Sequence, residues 1–261
     1  MMQIEISTKI PKFEHYGLIT SESLNLLSAN LLNFIQAKYA SSSDGVVTGF
    51  EISYDKIENV FKISRGILKI DNKIFYINDE LNLNIPSVEG RYTCIAKLNS
   101  KITKTYYDNI LTLELINTAD YKGEFLLFEI IIRQGAKISD EIETFEEYRD
   151  EYNTIDIINQ KYSVSHSKVS TISPIILKKW AYLASHKLKI SQIDLNFIFL
   201  CFNSVVSKEL IIAYIENKLG ISIDVSCDNK ELIKKLANIL RNNNKIDVKE
   251  IKENDECFYL E

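Results

Sequence analysis

The side chains that could carry nucleophilic or metal chemistry are few and widely spaced. The four cysteines are Cys94, Cys201, Cys227 and Cys257. The three histidines are His15, His166 and His186. Metal sites and disulfide frameworks need clustered ligands or regular cysteine spacings, and no C-x-x-C pair occurs here. The sequence therefore predicts no metal ligand and no disulfide, and buried free thiols are the simplest interpretation of the cysteines.

Sequence motifs of catalysis are also missing. The chain contains no G-x-x-x-x-G-K-[ST] or G-x-G-x-x-G phosphate loop, no G-x-S-x-G turn, no H-E-x-x-H helix and no calcium-binding loop. A cysteine and a histidine could still meet in space, and acidic pairs such as Glu146 and Glu147 are frequent, but only a fold can define such sites. We expect no enzymatic activity, no catalytic residue and no cofactor.

Basic residues near the C-terminus raise nucleic-acid binding as an alternative. They are Lys230, Lys234, Lys235, Arg241 and Lys245. A recognition helix needs such residues on the face that it presents to DNA. The whole chain has 31 Lys and Arg against 36 Asp and Glu, a net charge of -5, which argues against a general affinity for nucleic acid. The two lysines in the middle of this set also fit the solvated face of a helix that packs through Leu232, Leu236 and Leu240.

The elements that must position these residues fall into four segments, beginning with an N-terminal helix. Thr20 or Ser21 can cap it, and the apolar residues that follow have helical spacing. They are Leu24, Leu27, Leu31 and Phe34. Such a face could pack on its own domain or on copies of itself, and the pattern alone is more typical of the first. We place an N-terminal arm and assembly helix at 1–43.

Residues 44–138 are predicted to form an antiparallel β sandwich or barrel. Short β-rich runs alternate with turn signals, and the clearest hairpin has Asp71 and Asn72 in its turn. Residues 139–172 are predicted to form an acidic helix and a linker. Residues 173–261 contain capping residues and apolar repeats typical of a small α-helical domain. The predicted fold class is therefore α+β.

The stretch SSSDGVVTGFEIS, at 41–53, joins the helix to the β segment and supports a resemblance. Its glycines and apolar residues follow a "G-hh-T-G-hh-h" pattern, where h is apolar: Gly45, Val46, Val47, Gly49, Phe50 and Ile52. A strand and hairpin follow with Phe61, Ile63, Gly66, Ile67, Asp71, Ile74 and Tyr76, and RQGAKI closes the unit. This order resembles the N-terminal region of tail-fibre and baseplate-associated proteins of tailed phages and phage-tail-like contractile particles. The resemblance covers about half the chain, residues 13 to 138.

The resemblance implies a structural protein of the virion, a baseplate or tail-fibre adaptor that docks other tail or baseplate proteins. It also implies a homotrimer, assembled in the cytoplasm of the bacterial host. We assign Gly45, Gly49, Gly66, Asp71 and Asn72 to a structural joint. The stretch at 41–53 is predicted to be a hinge between the helix and the β domain, where Gly45 and Gly49 let the backbone turn tightly or be approached closely. A carbohydrate-binding protein that recognises the host surface, through exposed Tyr and Trp, is the alternative. No apolar run approaches the ~20 residues that span a bilayer, so we expect no membrane partner.

Overall fold

The structure is a computed structural model that describes residues 15, 18–102, 107–117, 125–135, 137–139, 153–187 and 189–242. It begins with helix α1 (Ser21–Tyr39) and ends with helices α2 (Pro174–Lys187), α3 (Gln192–Asn203), α4 (Lys208–Leu219) and α5 (Asn229–Asn242). Between them lie β1 (Gly45–Gly49), β2 (Ile52–Asp55), β3 (Val60–Ile63), β4 (Gly66–Ile70), β5 (Lys73–Ile77), β6 (Leu81–Asn84), β7 (Gly90–Ile102), β8 (Tyr107–Ile116) and β9 (Phe125–Ile132). The predicted α+β class is confirmed.

The strands form three antiparallel sheets of three strands each, with the orders β1-β4-β5, β2-β3-β6 and β8-β7-β9. All three sheets contribute to one core, which includes Leu68, Phe61 and Phe128. The rings of Phe61 and Phe128 meet edge to face with centroids 5.2 Å apart. The β region is therefore held together by side chains packed between sheets as well as by strand pairing.

The predicted hairpin is the β4–β5 unit, in which Gly66 pairs with Ile77 and Ile70 with Lys73. Asp71 and Asn72 occupy its two-residue turn with φ of 49° and 60°. Positive φ at both positions is what a type I′ hairpin turn requires, and Asn and Asp tolerate it better than other side chains. The turn chemistry read from the sequence is thus confirmed.

The described part of the predicted linker, residues 153–172, is packed between the core of the β region and the core of the C-terminal helices. Ile155 and Tyr162 belong to the β core, whereas Ile158 and Ile172 belong to the helical core. Main-chain bonds tie Asp156 to β9 and Tyr162 to Thr171. This stretch is extended, as expected, but it is buried and is not a free linker, because its apolar side chains fill both cores. The domain boundaries themselves stay a prediction, and the predicted acidic helix lies outside the described residues.

The C-terminal helices surround an aromatic cluster. Phe197 and Tyr214 stack with centroids 4.0 Å apart, and Trp180 meets both rings edge to face. Asp194, fully buried, accepts hydrogen bonds from the Tyr214 hydroxyl at 2.7 Å and the Lys218 ammonium at 2.9 Å. It also caps α3 through Ser191. Because this buried carboxylate lies on α3 and is bonded to two side chains of α4, it fixes the position of the two helices relative to each other.

Candidate assembly site

Helix α1 starts at a capping box. The Thr20 side chain accepts a hydrogen bond from the Ser23 main-chain N–H, and the Ser23 hydroxyl oxygen accepts one from the Thr20 N–H. Glu22 lies in the first turn and Lys38 in the last, where each charge matches the helix dipole. The local sequence therefore determines where this helix begins, and the charges at its two ends stabilise it.

No side chain of α1 is buried among the described residues. Leu24, Leu27, Leu31 and Phe34 are 50, 53, 63 and 69% exposed. They recur at alternating intervals of three and four residues, the spacing of a coiled-coil seam. The seam contains no charged residue, and the positions beside it are Ser, Asn, Ala and Ile. Pattern alone favoured packing on the chain's own domain; within the described chain that interpretation is wrong, because this face contacts no core.

A buried lysine holds the C-terminal end of α1. Lys69, on β4, is only 2% exposed. Its ammonium donates to the Tyr39 carbonyl at 2.8 Å and to the Ser42 carbonyl at 2.5 Å. The last carbonyls of a helix lack intrahelical partners and carry the negative end of the dipole, so a cation is well placed there. Lys69 therefore fixes α1 to the β domain through the helix main chain.

Ser43 fastens the chain just after the helix. It is buried, its hydroxyl accepts from the Val164 N–H at 2.9 Å, and its carbonyl accepts from the Ser163 hydroxyl at 2.6 Å. Its own N–H donates to the Val164 carbonyl at 3.1 Å. With Lys69 this makes a bonded joint, in which the segment is anchored on both sides. The hinge inferred from the sequence stays a prediction.

The joint glycines lie where the backbone leaves no room for a side chain. A Cβ on Gly49, whose φ is +68°, would lie 1.9 Å from the Arg65 carbonyl oxygen. A Cβ on Gly66 would lie 2.3 Å from the Thr48 carbonyl oxygen, and one on Gly45 would lie 2.5 Å from the Ser163 nitrogen. Close approach of main chain to main chain explains all three positions, and Gly49 also needs its positive φ.

An apolar cleft separates α1 from the outer face of the β1-β4-β5 sheet. Its volume is about 1010 Å³. Leu32 and Ile35 form the helix wall, and Ile67, Ile74 and Tyr76 lie on the sheet side. Tyr76 is 71% exposed. The helix thus stands away from the sheet along much of its length and is attached mainly at its C-terminal end.

The candidate chemical residues are not brought together. In the described part of the chain, no three His, Cys, Asp or Glu side chains are placed to hold a metal ion. Burial raises the pKa of the Cys94 and Cys201 thiols to about 12, far from the range of a reactive thiolate. His186 Nδ1 lies 2.8 Å from the Tyr182 carbonyl, and His166 Nδ1 lies 3.4 Å from the Ser41 hydroxyl. These histidine contacts are local packing interactions.

The alternatives raised from sequence are partly corrected. Trp180, the sole tryptophan, is fully buried and donates to the Leu236 carbonyl at 3.0 Å, so it is not available to stack on a sugar. Leu232, Leu236 and Leu240 are fully buried, which confirms the packing face predicted for α5. Lys235 pairs with Glu231 at 3.0 Å, whereas Lys234 and Arg241 are exposed. Lys245, Cys257, Glu146 and Glu147 lie outside the described residues.

Sequence reasoning missed Lys69 and Ser43. The lysine stands in a strand as an ordinary polar residue, and the serine stands in a polar loop. One weak signal was present for Lys69, because it interrupts the apolar residues of GILKI at a position that pairs with Gly45. Nothing in the sequence near Ser43 identifies its partners, which lie about 120 positions away.

Comparisons with known proteins leave the chain unassigned. No family model matches it, and no curated protein matches it. Among solved structures, it is similar to the crystal structure of TssK at a TM-score of 0.39 and 7% identity, over 92% of this chain and 70% of that one. A likeness at this TM-score carries no argument about function. No helix in the described residues is both long and apolar enough to cross a membrane.

Proposed function

We propose that the chain is a structural component of a phage tail or tail-like contractile particle. It would act there as a baseplate or tail-fibre adaptor that docks neighbouring proteins, and α1 would be its assembly helix. One observation carries the proposal: α1 has 19 residues and buries none of its side chains, although four large apolar ones line one face. The resemblance in residues 13 to 138 supplies the class of particle.

The energetics of α1 support a partner for it. Isolated helices shorter than about 12–15 residues are marginal in water, and longer ones still depend mainly on packing of an apolar face. A face with Leu24, Leu27, Leu31 and Phe34 exposed gains no such packing from the described residues, so another chain would supply it. Since the seam is uncharged, copies of α1 do not repel one another along it. Self-association is therefore the simplest use of this helix, and the resemblance implies a homotrimer.

Light scattering after size-exclusion chromatography tests self-association. We expect α1 to associate the chain in threes, so that its assemblies contain three copies or a multiple of three, and the double substitution Leu27→Asn with Leu31→Asn to give assemblies of fewer than three copies. The matched control is Asn25→Gln with Asn33→Gln, which changes two exposed polar residues of the same helix. A strictly monomeric chain at high concentration, or a mass unaffected by the leucine substitutions, contradicts this role of α1.

Particles test the location. Where cells that encode this chain produce a tail or tail-like particle, we expect the protein in the purified particle and altered baseplate or fibre density when its gene is deleted. Absence of the protein from intact particles contradicts the proposal. This result does not depend on the oligomeric state in solution, because subunits that stay monomeric in solution can still associate on the particle.

One observation favours the carbohydrate-binding alternative. The exposed Tyr76 ring borders the cleft beside α1, with Arg65 and Asn78 also on its lining. Exposed aromatic rings combined with polar side chains suit the faces and hydroxyls of sugars. Binding on a glycan array that is lost in Tyr76→Ala would favour this function over simple docking, and no binding at all would remove it.

The proposal includes no catalysis and no nucleic-acid partner. The thiols of Cys94 and Cys201 are held in the unreactive form by burial, as their raised pKa indicates. On α5, Lys235 is paired with Glu231, so the charge of one of the basic side chains of this helix is neutralised. Salt-dependent binding to duplex DNA that is reduced by Lys234→Ala with Arg241→Ala would show that the chain does have a nucleic-acid partner.

A further inference from the structure

The two strands that flank β7 are covered very differently. On one side, β9 has residues 125–130 all buried, and its outer edge is bonded to residues 153 and 156. On the other side, residues 110–116 of β8 are all half-buried. Its core-facing leucines, at 111, 113 and 115, pack against the β core without being fully covered. The sheet is thus incomplete along β8.

The outer edge of β8 lacks the features that protect strand edges. No described residue pairs with it, although β8 is paired to β7 over ten consecutive residues without a bulge. The other edge strands are short or covered: β2 and β6 have four residues each, β5 has five, and β1 is bonded to residues 161–163. Long, regular, apolar edges invite pairing with another strand.

We infer that β8 pairs with β8 of a second copy of this chain, antiparallel and with the two-fold axis at Leu113. In this register Leu111 lies opposite the second copy's Leu115, and Leu113 lies opposite its own equivalent. On the other face, Ile110 lies opposite Ile116 and Thr112 opposite Glu114. The half-buried leucines of the two copies would then complete one continuous apolar layer.

The strand is self-complementary, since Leu111, Leu113 and Leu115 meet one another across the axis, and charge selects the register. The strand's own Glu114 is already paired with Lys97 on β7 at 2.8 Å, and in this register it meets a threonine of the second copy. Moving the axis by one residue to Thr112 would place the carboxylate against Ile110. Residues 110–116 carry no other charge, so two copies meet without like charges opposite each other. The surface is separate from α1 and does not rest on the proposed function.

A charge-swap experiment tests the register. The full chain carrying Leu27→Asn and Leu31→Asn, which removes association through α1, is examined by sedimentation equilibrium, and we expect a dimer. Ile110→Lys alone and Ile116→Glu alone should each weaken the dimer about tenfold, because the symmetric interface contains the affected pair twice. The double variant should recover to within about threefold of the parent, since each new lysine then faces a glutamate.

Rescue in the double variant distinguishes pairing between copies from general damage. A partner of another kind would also be lost in the single variants, but the double variant would not restore it. A chain that stays monomeric at millimolar concentration, or a double variant as weak as the singles, overturns the inference. Should a variant fail to fold, amide hydrogen exchange of the unsubstituted chain gives a second reading: protection along β8 must rise with concentration, and unchanged protection counts against pairing.

Discussion

Helices α1 and α5 both repeat leucines at helical spacing, yet they use them in opposite ways. In α5, Leu232, Leu236 and Leu240 are fully buried in the core that α2, α3 and α4 complete. In α1, Leu24 and Leu31 are 50 and 63% exposed, and the helix is held by its end. The pattern marks an apolar face in each case, but the surrounding fold decides whether that face is satisfied within the chain.

The difference lies in where each helix is bonded to the rest of the chain. The main chain of α5 receives the Trp180 indole N–H in the middle of a packed face. The main chain of α1 receives the Lys69 ammonium at its last turn, with the cleft beside the rest of the helix. A helix fixed only at one end presents its side chains to other molecules. The largest differences between variants should therefore appear when equivalent leucines are removed from the two helices.

The first prediction compares Leu236→Ala in α5 with Leu27→Ala in α1. Truncating a fully buried leucine typically lowers the free energy of unfolding by about 2–5 kcal/mol, whereas an exposed site usually changes it by less than about 0.5 kcal/mol. Denaturant unfolding at low protein concentration measures both. Leu27→Ala should instead reduce the mass seen by light scattering. Equal losses of stability in both variants would mean that α1 packs within its own chain.

The second prediction concerns the joint. Gly49→Ala should lower the free energy of unfolding by roughly 2–4 kcal/mol, since the new Cβ meets the Arg65 carbonyl and the positive φ is strained. Ser43→Ala should lower the free energy of unfolding by about 1–3 kcal/mol, because it leaves the buried Val164 N–H without its hydrogen-bond acceptor. Ser41→Ala, at an exposed site, serves as the control. Similar tolerance at Gly49 and Ser41 in thermal or denaturant melts would contradict the joint described here.

The third prediction concerns the clamp. Lys69→Met keeps the length of the side chain but removes two hydrogen bonds from a charged donor, and should cost about 1.5–3 kcal/mol. Amide exchange should quicken in the last turns of α1 and stay unchanged in α5. Replacing the exposed Lys38 by Met should leave the β domain unaffected. Equally faster amide exchange in α1 and α5 would show that Lys69 stabilises the whole core and not the end of α1 alone.

The smallest effect is the share of the acid dependence of stability that Asp194 contributes. Although burial raises the pKa of Asp194, hydrogen bonds from Ser191, Lys218 and Tyr214 together lower it below its ordinary value of 3.8. A carboxyl whose folded-state pKa is lowered stabilises the fold above its unfolded value, and that contribution is lost as pH falls through the folded value. Stability should therefore fall below about pH 4. Melts of Asp194→Asn should lack this acid-dependent part, and an identical acid profile would contradict the network.

Much of the fold was readable because its signals are local. The Asp71-Asn72 turn, the cap at the start of α1 and the leucine face of α5 each depend on residues close in sequence. The predicted linker proved to be packed at 153–172, and this packing was not readable from the sequence because the partners lie far along the chain. Trp180 could not be placed from sequence either, since an aromatic ring suits a core and a binding surface equally well.

By itself, the sequence determined the start of α1 near Thr20, the turn between β4 and β5, the apolar seam of α1 and the glycines of the joint. Only the tertiary structure decided that the seam is left exposed, that Lys69 and Ser43 hold the joint, and that β8 has an uncovered edge. The physical reason is one of range. Turns, caps and periodicity are energies between near neighbours, whereas burial depends on contacts between segments that the chain brings together only when it folds.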